Sequence, residues 1–342
     1  MEILKCALFL VSQIATAVLT CHAQGQTVDA PKQGVGDAIE DIARWTEISE
    51  LQPDLPSSIL AAINKEDILT YVSPGYIFPK KNIGLQCQGV NADLSDVLEQ
   101  HLASKSPQVQ NQRRFGEANI LGRQAFRLTI DARDLLPNNI SPRCEIVSYP
   151  MEGSALPNAN SFWIAFTFWA DDWSKSADEQ LIAQLHVQVP LNTILNPFVG
   201  LVVRGENLRL EIRNNANQQP SQASTSILTA AKIMMPKHQW VTLVMNGRTG
   251  NSENQKPFLR MWLNGESILN YSGPLGYNLP TGGYSYTKVG LYHWLNGNAW
   301  DNELPIRSLL ISAFAVFNDP KDVYTLEKIQ AAIKPTQLKR SN

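Results

Sequence analysis

Residues 238–266 read HQWVTLVMNGRTGNSENQKPFLRMWLNGE. One apolar strand opens with Trp240, a polar segment follows, and a second strand ends at an Asn-Gly turn. Because side chains alternate along a strand, one set faces a core: Leu259, Met261 and Leu263. Arg260 and Trp262 fall on the opposite face. This hairpin is typical of an antiparallel β-sandwich, in which one face packs inward and the other meets solvent.

The same period of two continues through most of the chain after about residue 120. Asn, Gly, Pro and Ser-rich turns separate the candidate strands. These are residues 124–131, 144–148, 162–169, 181–188, 199–204, 207–213, 240–246, 258–264, 286–294 and 308–317. The pattern predicts an all-β fold, an antiparallel jelly-roll sandwich of the concanavalin-like kind over 111–320. A C-terminal helix and tail are predicted over 321–342.

The composition restricts the function classes. The 342 residues are 44% hydrophobic and 18% charged, which is enough apolar material for a large core. The 29 basic and 31 acidic residues give a net charge of -2. This balance argues against a nucleic-acid binder and against a polybasic membrane protein. It does not exclude a basic cleft on one part of the surface. We expect a monomer with neither nucleic acid nor membrane as a partner.

The N-terminal residues resemble an export signal. Lys5 precedes a mostly apolar stretch over 7–20, and Cys21-His22-Ala23 resembles a small-residue cleavage site. We therefore predict a signal peptide over 1–23 and a secreted or periplasmic protein. Residues 24–110 have a mixed pattern, with helical spacing over 37–51, 57–72 and 93–103. This segment is expected to be an N-terminal extension of helices and loops.

Two cysteines remain after residue 23, Cys87 and Cys144. In an oxidising compartment this even pair predicts one disulfide, and it makes a poor zinc site. Calcium could bind near Asp301 and Asn302, although no dense acidic loop requires it. No cofactor is expected.

The strand 181–188, LIAQLHVQ, combines an apolar and a polar face. Leu185 and Val187 suit a core, and the other face carries Gln184, His186 and Gln188. A histidine between two glutamines on an open face is suited to binding or proton transfer. It is equally well explained as a hydrogen-bonded histidine on an exposed sheet, and the strand alone leaves both readings open.

The strand 286–294, YTKVGLYHW, places Lys288, Gly290, Tyr292 and Trp294 on one face. The opposite face carries Val289 and Leu291. Gly290 would leave the backbone uncovered so that a ligand can approach, and Lys288 close to Tyr292 would favour the phenolate. The alternative is ordinary packing of a lysine on a tyrosine at the surface.

Arg143 and Glu145 stand two apart in another candidate strand and point the same way. They form either a surface salt bridge, or a site in which the arginine grips a ligand carboxylate with two hydrogen bonds.

Four motifs together resemble one enzyme group. They are R-x-E at 143–145, Q-x-H at 184–186, the W…WLNG hairpin at 240–265 and K-x-G-x-Y at 288–292. Their order and spacing over about 115–320 resemble polysaccharide lyases of the jelly-roll class, nearest to the glucuronan lyase and heparin lyase I-like families. The resemblance implies β-elimination at a uronic acid, with a Tyr and a His near the scissile bond and a Gln or Arg on the carboxylate.

The chemistry assigns roles to the candidate residues. A lyase removes the C5 proton of a uronate, so it must neutralise the carboxylate and stabilise an enolate-like intermediate. Arg143, Gln184 and Lys288 are the predicted donors and cations, and His186 and Tyr292 the predicted proton-transfer groups. The predicted substrate-binding residues are Arg260, Trp262, Trp294 and Gln188. The expected partner is an acidic polysaccharide.

The main alternative is a non-catalytic, lectin-like carbohydrate-binding module. Its sugar-stacking residues would be Trp262, Trp294 and Trp300, and it would need no base. A sandwich glycoside hydrolase would need two positioned carboxylates, and the ExDxxE strand of the laminarinase-like hydrolases is absent from the sequence. Formation of an unsaturated product separates the lyase from the binding module.

Overall fold

The computed structural model describes twelve parts of the chain. These are residues 55–79, 83–87, 90–94, 114–131, 141–148, 160–170, 178–189, 195–217, 221, 225–279, 283–293 and 306–334. The predicted signal peptide and the predicted helix over 37–51 lie outside them.

Within the described residues, the first of two sheets has nine strands, numbered here along the chain. Its main order is β15 (Glu266–Ser272), β14 (Phe258–Leu263), β13 (Trp240–Arg248), β8 (Ser161–Ala170), β18 (Ile306–Asp319), β1 (Ile68–Ser73) and β2 (Tyr76–Phe78). In addition, β6 (Arg123–Asp131) pairs with β18 and with β5 (Phe115–Ile120). All these pairings are antiparallel.

The second sheet also has nine strands in the part of the chain that the structure describes, and it carries the polar motifs. Its order is β12 (Ser226–Met234), β11 (Asn207–Asn215), β10 (Val199–Arg204), β9 (Glu179–Gln188), β17 (Tyr284–His293), β7 (Arg143–Ser148), β3 (Ile83–Cys87) and β4 (Val90–Asp93). The short β16 (Gly276–Tyr277) lies parallel to β11. The prediction of an antiparallel jelly-roll sandwich is confirmed.

The core lies between the two sheets, where alternate side chains of both interdigitate. The inward faces deduced from the period of two are correct. Six of the predicted core residues are at most 4% exposed: Leu185, Val187, Leu259, Met261, Val289 and Leu291. Leu263 is only partly buried, although it packs against the same core.

Two helices of the described segments cover the outer face of the first sheet. They are α1 (Ser57–Ala62) and α2 (Leu326–Ala332), and the Thr325 hydroxyl caps α2 by accepting from the Lys328 amide. Ile59 and Ile329 are fully buried against a cluster that includes Trp163 of β8. The first sheet is therefore packed on both faces over much of its area. The second sheet keeps its polar residues on its outer face.

The N-terminal segment contributes more strands than expected. Residues 68–93 supply β1 to β4, two strands to each sheet, so the sandwich begins before residue 111. The predicted helix over 57–72 ends at Ala62, and Ile68–Ser73 pairs with β18 instead. Short apolar runs such as ILTYV fit a buried strand as well as a helix, because periodicity cannot distinguish them. The predicted helix over 93–103 lies outside the described residues beyond Leu94.

The predicted disulfide between Cys87 and Cys144 is confirmed. The two residues lie directly opposite each other on β3 and β7, and both belong to the core. The bond joins residues 57 positions apart in the sequence. It therefore fastens a strand of the N-terminal segment to the middle of the second sheet.

Two features are absent from the described residues: a membrane-spanning helix and a cluster of metal ligands. No helix among them is long and apolar enough to cross a membrane. No group of three or more His, Cys, Asp or Glu side chains within them could hold a metal ion. Asp301 and Asn302, the predicted calcium position, lie outside the described residues.

Candidate active site

Four adjacent strands of the second sheet, β9, β17, β7 and β3, bring the predicted catalytic residues together. Their outward side chains form what we call the polar face: Gln86, Arg143, Glu145, Gln184, His186, Gln188, Tyr284, Tyr286, Lys288 and Tyr292. The pairing register sets their positions. Lys288 lies opposite Gln184, Tyr286 opposite His186, and Tyr292 opposite Arg143.

Glu145 lies at the centre of a buried network within this face. The Gln184 amide Nε2 donates a hydrogen bond to Glu145 Oε1. Lys288 Nζ lies 3.7 Å from Glu145 Oε2 and donates to Gln86 Oε1 at 2.9 Å. Glu145, Gln184 and Lys288 are all at most 4% exposed. Residues from four strands are therefore held in fixed positions by charge-assisted hydrogen bonds.

Burial lowers the pKa of Lys288, and the nearby Arg143 cation lowers it further. The Glu145 carboxylate opposes both effects by stabilising the charged ammonium. Glu145 thus compensates a lysine that is otherwise costly to bury. This pairing differs from a salt bridge between Arg143 and Glu145, which was one of the two readings of the R-x-E motif.

His186 is neutral at physiological pH. Burial lowers its pKa to about 4, with further lowering from Lys288 and Arg143. Its Nδ1 lies 2.8 Å from both the amide nitrogen and the carbonyl oxygen of Val187, so the backbone positions the ring. The Tyr286 ring packs beside it, with ring centroids 5.2 Å apart. Nε2 is left as the nitrogen for a substrate proton.

Tyr292 lies beneath a cation, although a different one from that predicted. The Arg143 guanidinium stands 4.4 Å from the centroid of the Tyr292 ring. Lys288 Nζ instead lies 5.5 Å from the centroid of Tyr286. The expected neighbour relation between Lys288 and Tyr292 is therefore not seen, because four residues of an extended strand separate their Cα atoms by about 13 Å.

Gly290 has a different role from the one expected. It has a φ of +146°, and an added Cβ would lie 2.3 Å from the Cys144 carbonyl oxygen and 2.6 Å from the Glu145 Cα. The glycine therefore allows close contact between β17 and the backbone of β7, whereas we expected it to leave room for a ligand.

The predicted substrate-binding residues do not all lie at this site. Gln188 is exposed on the polar face, opposite Tyr284. Arg260 and Trp262 belong to β14, on the outer face of the other sheet, so they line a different surface. Trp294 and Trp300 lie outside the described residues.

The site also contains three residues that were not predicted from the sequence, Gln86, Tyr284 and Tyr286. Gln86 comes from the segment taken as an extension, and its contact with Lys288 depends on the pairing of β3 with β7. The signal that was available is its position beside Cys87, which fixes that strand near Cys144. Tyr284 and Tyr286 share the period of Lys288 along β17, so alternation places them on the same face.

Comparison with protein families decides the class. Residues 89–314, which include the whole polar face except Gln86, match the family model described as polysaccharide lyase. The chain belongs to the polysaccharide lyase family. The polysaccharide lyase is thus an enzyme that acts on a polysaccharide, in agreement with the resemblance drawn from its motifs. This result favours catalysis over the alternative of a non-catalytic binding module.

One solved structure shows the same fold, and a second gives a weaker match. The endo-β-1,4-glucuronan lyase of the fungus Trichoderma reesei aligns with a TM-score of 0.51 at 15% identity, over 63% of this chain and 90% of that one. An alginate lyase of polysaccharide lyase family 7 aligns with a TM-score of 0.47 at 12% identity, over 70% of this chain and 95% of that one. No curated protein matches the sequence.

Proposed function

We propose that this enzyme cleaves a uronic-acid-containing polysaccharide by β-elimination on the polar face. The observation that carries the proposal is the position of His186, which is neutral, on the same face as Arg143, Gln184 and Tyr292. Uronate elimination needs a base for the C5 proton, an acid for the leaving O4 and donors for the carboxylate. The adjacent strands β9, β17 and β7 supply each of these types of group.

The reaction balances with groups of this chain alone. His186 Nε2 takes the C5 proton, and the electrons of the C5–H bond form the C4–C5 double bond. The C4–O4 bond breaks, and the Tyr292 hydroxyl gives its proton to the departing O4. Arg143 binds the uronate carboxylate, which makes C5 more acidic. Gln184 was also predicted to bind this carboxylate, but it is only 1% exposed and is left out of the substrate contacts.

Glu145, Lys288 and Gln86 act one step away from the substrate. Glu145 accepts an amide hydrogen of Gln184, which is itself buried, so Gln184 also acts as a positioning residue. Lys288 is buried and neutralises Glu145, and it is therefore better explained as a positioning residue than as a substrate contact.

The test is a set of uronate polymers offered to the wild-type enzyme: glucuronan, alginate and glycosaminoglycans. We expect at least one of them to yield product with the ultraviolet absorbance of a C4–C5 unsaturated uronate. A neutral polysaccharide of similar length is the control. Loss of viscosity without that absorbance would mean hydrolysis, and it would overturn the proposal.

We also propose that the protein is exported, to the medium or a periplasm, and acts as a monomer. The signal-like sequence over 1–23 supports export, and the disulfide fits an oxidising compartment. N-terminal sequencing of the exported protein is expected to start near Gln24. Size-exclusion chromatography with light scattering tests the monomer.

A further inference from the structure

A cleft lies on the outer face of the first sheet, on the opposite side of the sandwich from the polar face. Its volume is about 730 Å³, and it lies between β14 and the start of α2. The lining residues used below are Trp163, Trp262, Phe258, Arg248, Arg260 and Lys256. We call it the rear cleft. The volume is within the range of natural ligand sites, which are concave and combine aromatic walls with a few polar groups.

Two indole rings form a rigid wall of the rear cleft. Trp163 and Trp262 stack with ring centroids 5.8 Å apart and an interplanar angle of 17°. Trp163 is only 5% exposed, and its Nε1 donates to the Asp319 carboxylate at 2.9 Å. Trp262 is therefore held in one orientation while part of its ring remains accessible. A preformed aromatic surface loses little conformational entropy when a flat ligand packs on it.

The carboxylates around the rear cleft are already engaged. Asp319 accepts from Trp163 and from the amides of Val323 and Tyr324. Asp322 pairs with Arg248 at 2.7 Å. Hydrogen bonds from its own backbone and from Thr325 lower the pKa of the third, Glu327, so its charge is also partly satisfied.

Two cations in contrast face the opening. Arg260 is exposed, and the contact described for it is with the Phe258 ring, whose centroid lies 5.0 Å from the guanidinium carbon. Lys256 is exposed on a left-handed turn with a φ of +48°. Stacking on Phe258 positions the Arg260 guanidinium and leaves its N–H groups for an anion.

We propose that the rear cleft is a non-catalytic binding site for a uronate segment of the polysaccharide. Trp262 packs against the face of a sugar ring, and Arg260, supported by Lys256, binds its carboxylate with paired hydrogen bonds. The choice of a uronate rests on the proposed function of the polar face. Because the two surfaces lie on opposite sheets, an oligosaccharide bound at one leaves the other free.

Calorimetric stoichiometry tests this site. The Tyr292→Phe variant is titrated with saturated tetrasaccharides of glucuronate, mannuronate and guluronate, so that turnover does not consume the ligand. We expect two bound oligosaccharides per chain. Adding Arg260→Glu should weaken one event at least 10-fold and leave the other unchanged. Lys321→Ala, which removes an exposed cation outside the rear cleft, is the matched control and should retain both events.

The outcomes separate the two proposals. A single event for Tyr292→Phe, or two events that Arg260→Glu leaves unchanged, overturns the rear cleft while wild-type turnover still supports the lyase site. Lack of unsaturated product from every uronate polymer rejects the proposed function whatever the stoichiometry. Trp262→Phe provides a second variant: it keeps an aromatic ring in the stack and is expected to weaken the same event more mildly than Arg260→Glu.

Discussion

His186 gains its proposed role from its surroundings, since a histidine with an ordinary pKa is half protonated near pH 6.5. With a pKa of about 4, the ring stays a free base down to mildly acidic pH. We expect the acid limb of kcat/KM to have its midpoint near pH 4, and His186→Ala to be severely impaired at every pH. The midpoint is measured from initial rates across pH.

An NMR titration of the His186 ring in the free enzyme provides the independent check. The midpoint of the titration should coincide with that of the acid limb. An acid limb whose midpoint differs from that of the ring would contradict the assignment of His186 as the base, and a ring that titrates near pH 6.5 would contradict its lowered pKa.

Tyr292 makes the complementary prediction at the same scale. Tyr292→Phe removes one hydroxyl and keeps the ring that packs beneath Arg143. We expect kcat to fall by about 10²–10⁴-fold, the usual contribution of a proton-transfer group, while the binding of oligosaccharide is nearly unchanged. Tyr271→Phe, which removes a hydroxyl bonded to the Pro274 carbonyl in the other sheet, is the control and should keep full turnover.

At the scale of elements, the contact between β17 and β7 depends on Gly290. Alanine there would have to adopt a φ of +146° and would overlap the backbone of β7. We expect Gly290→Ala to lower the free energy of unfolding by more than about 3 kcal/mol, the upper range for backbone strain alone. Urea denaturation gives the value.

Gly122→Ala is the matched control for this substitution. Gly122 also has a positive φ, of +78°, but an added Cβ there meets nothing within 4 Å. It should therefore show the cost of strain without the clash. Equal losses of stability in the two variants would refute the close-contact explanation.

The alternation of side chains along the strands explains which positions could be predicted from the sequence. The period of two correctly placed Leu185 and Val289 in the core, and Gln184, His186 and Lys288 on the opposite face of their strands. Alternation gives the side of a strand on which a residue lies, but it does not give the sheet to which the strand belongs. For this reason Arg260 and Trp262 were assigned to the wrong surface.

The same limit applies to contacts across strands. The contact of Gln86 with Lys288 spans 202 positions of sequence and is created by strand pairing. The contact of Arg143 with the Tyr292 ring is likewise created by the pairing of β7 with β17. A single sequence does not encode such a pairing as a local pattern.

At the scale of the whole molecule, the disulfide limits the freedom of the unfolded chain. Closing a loop between residues 57 positions apart contributes about 4 kcal/mol in the chain-entropy model. We expect the double variant Cys87→Ser, Cys144→Ser to lose roughly that amount in urea denaturation. Titration of the unfolded, unreduced protein without residues 1–23 should find no free thiol, and two free thiols would disprove the bond in solution.

The disulfide between Cys87 and Cys144 also distinguishes the oxidised enzyme from the newly made, reduced chain. Each cysteine is the immediate neighbour of a member of the polar face, Gln86 on one strand and Glu145 on the other. Oxidation thus fixes the lateral spacing of the pair that holds Lys288 and orients Gln184. A newly made, reduced chain would carry every catalytic group without that spacing. Catalytic competence would then depend on oxidation of these two cysteines as well as on folding.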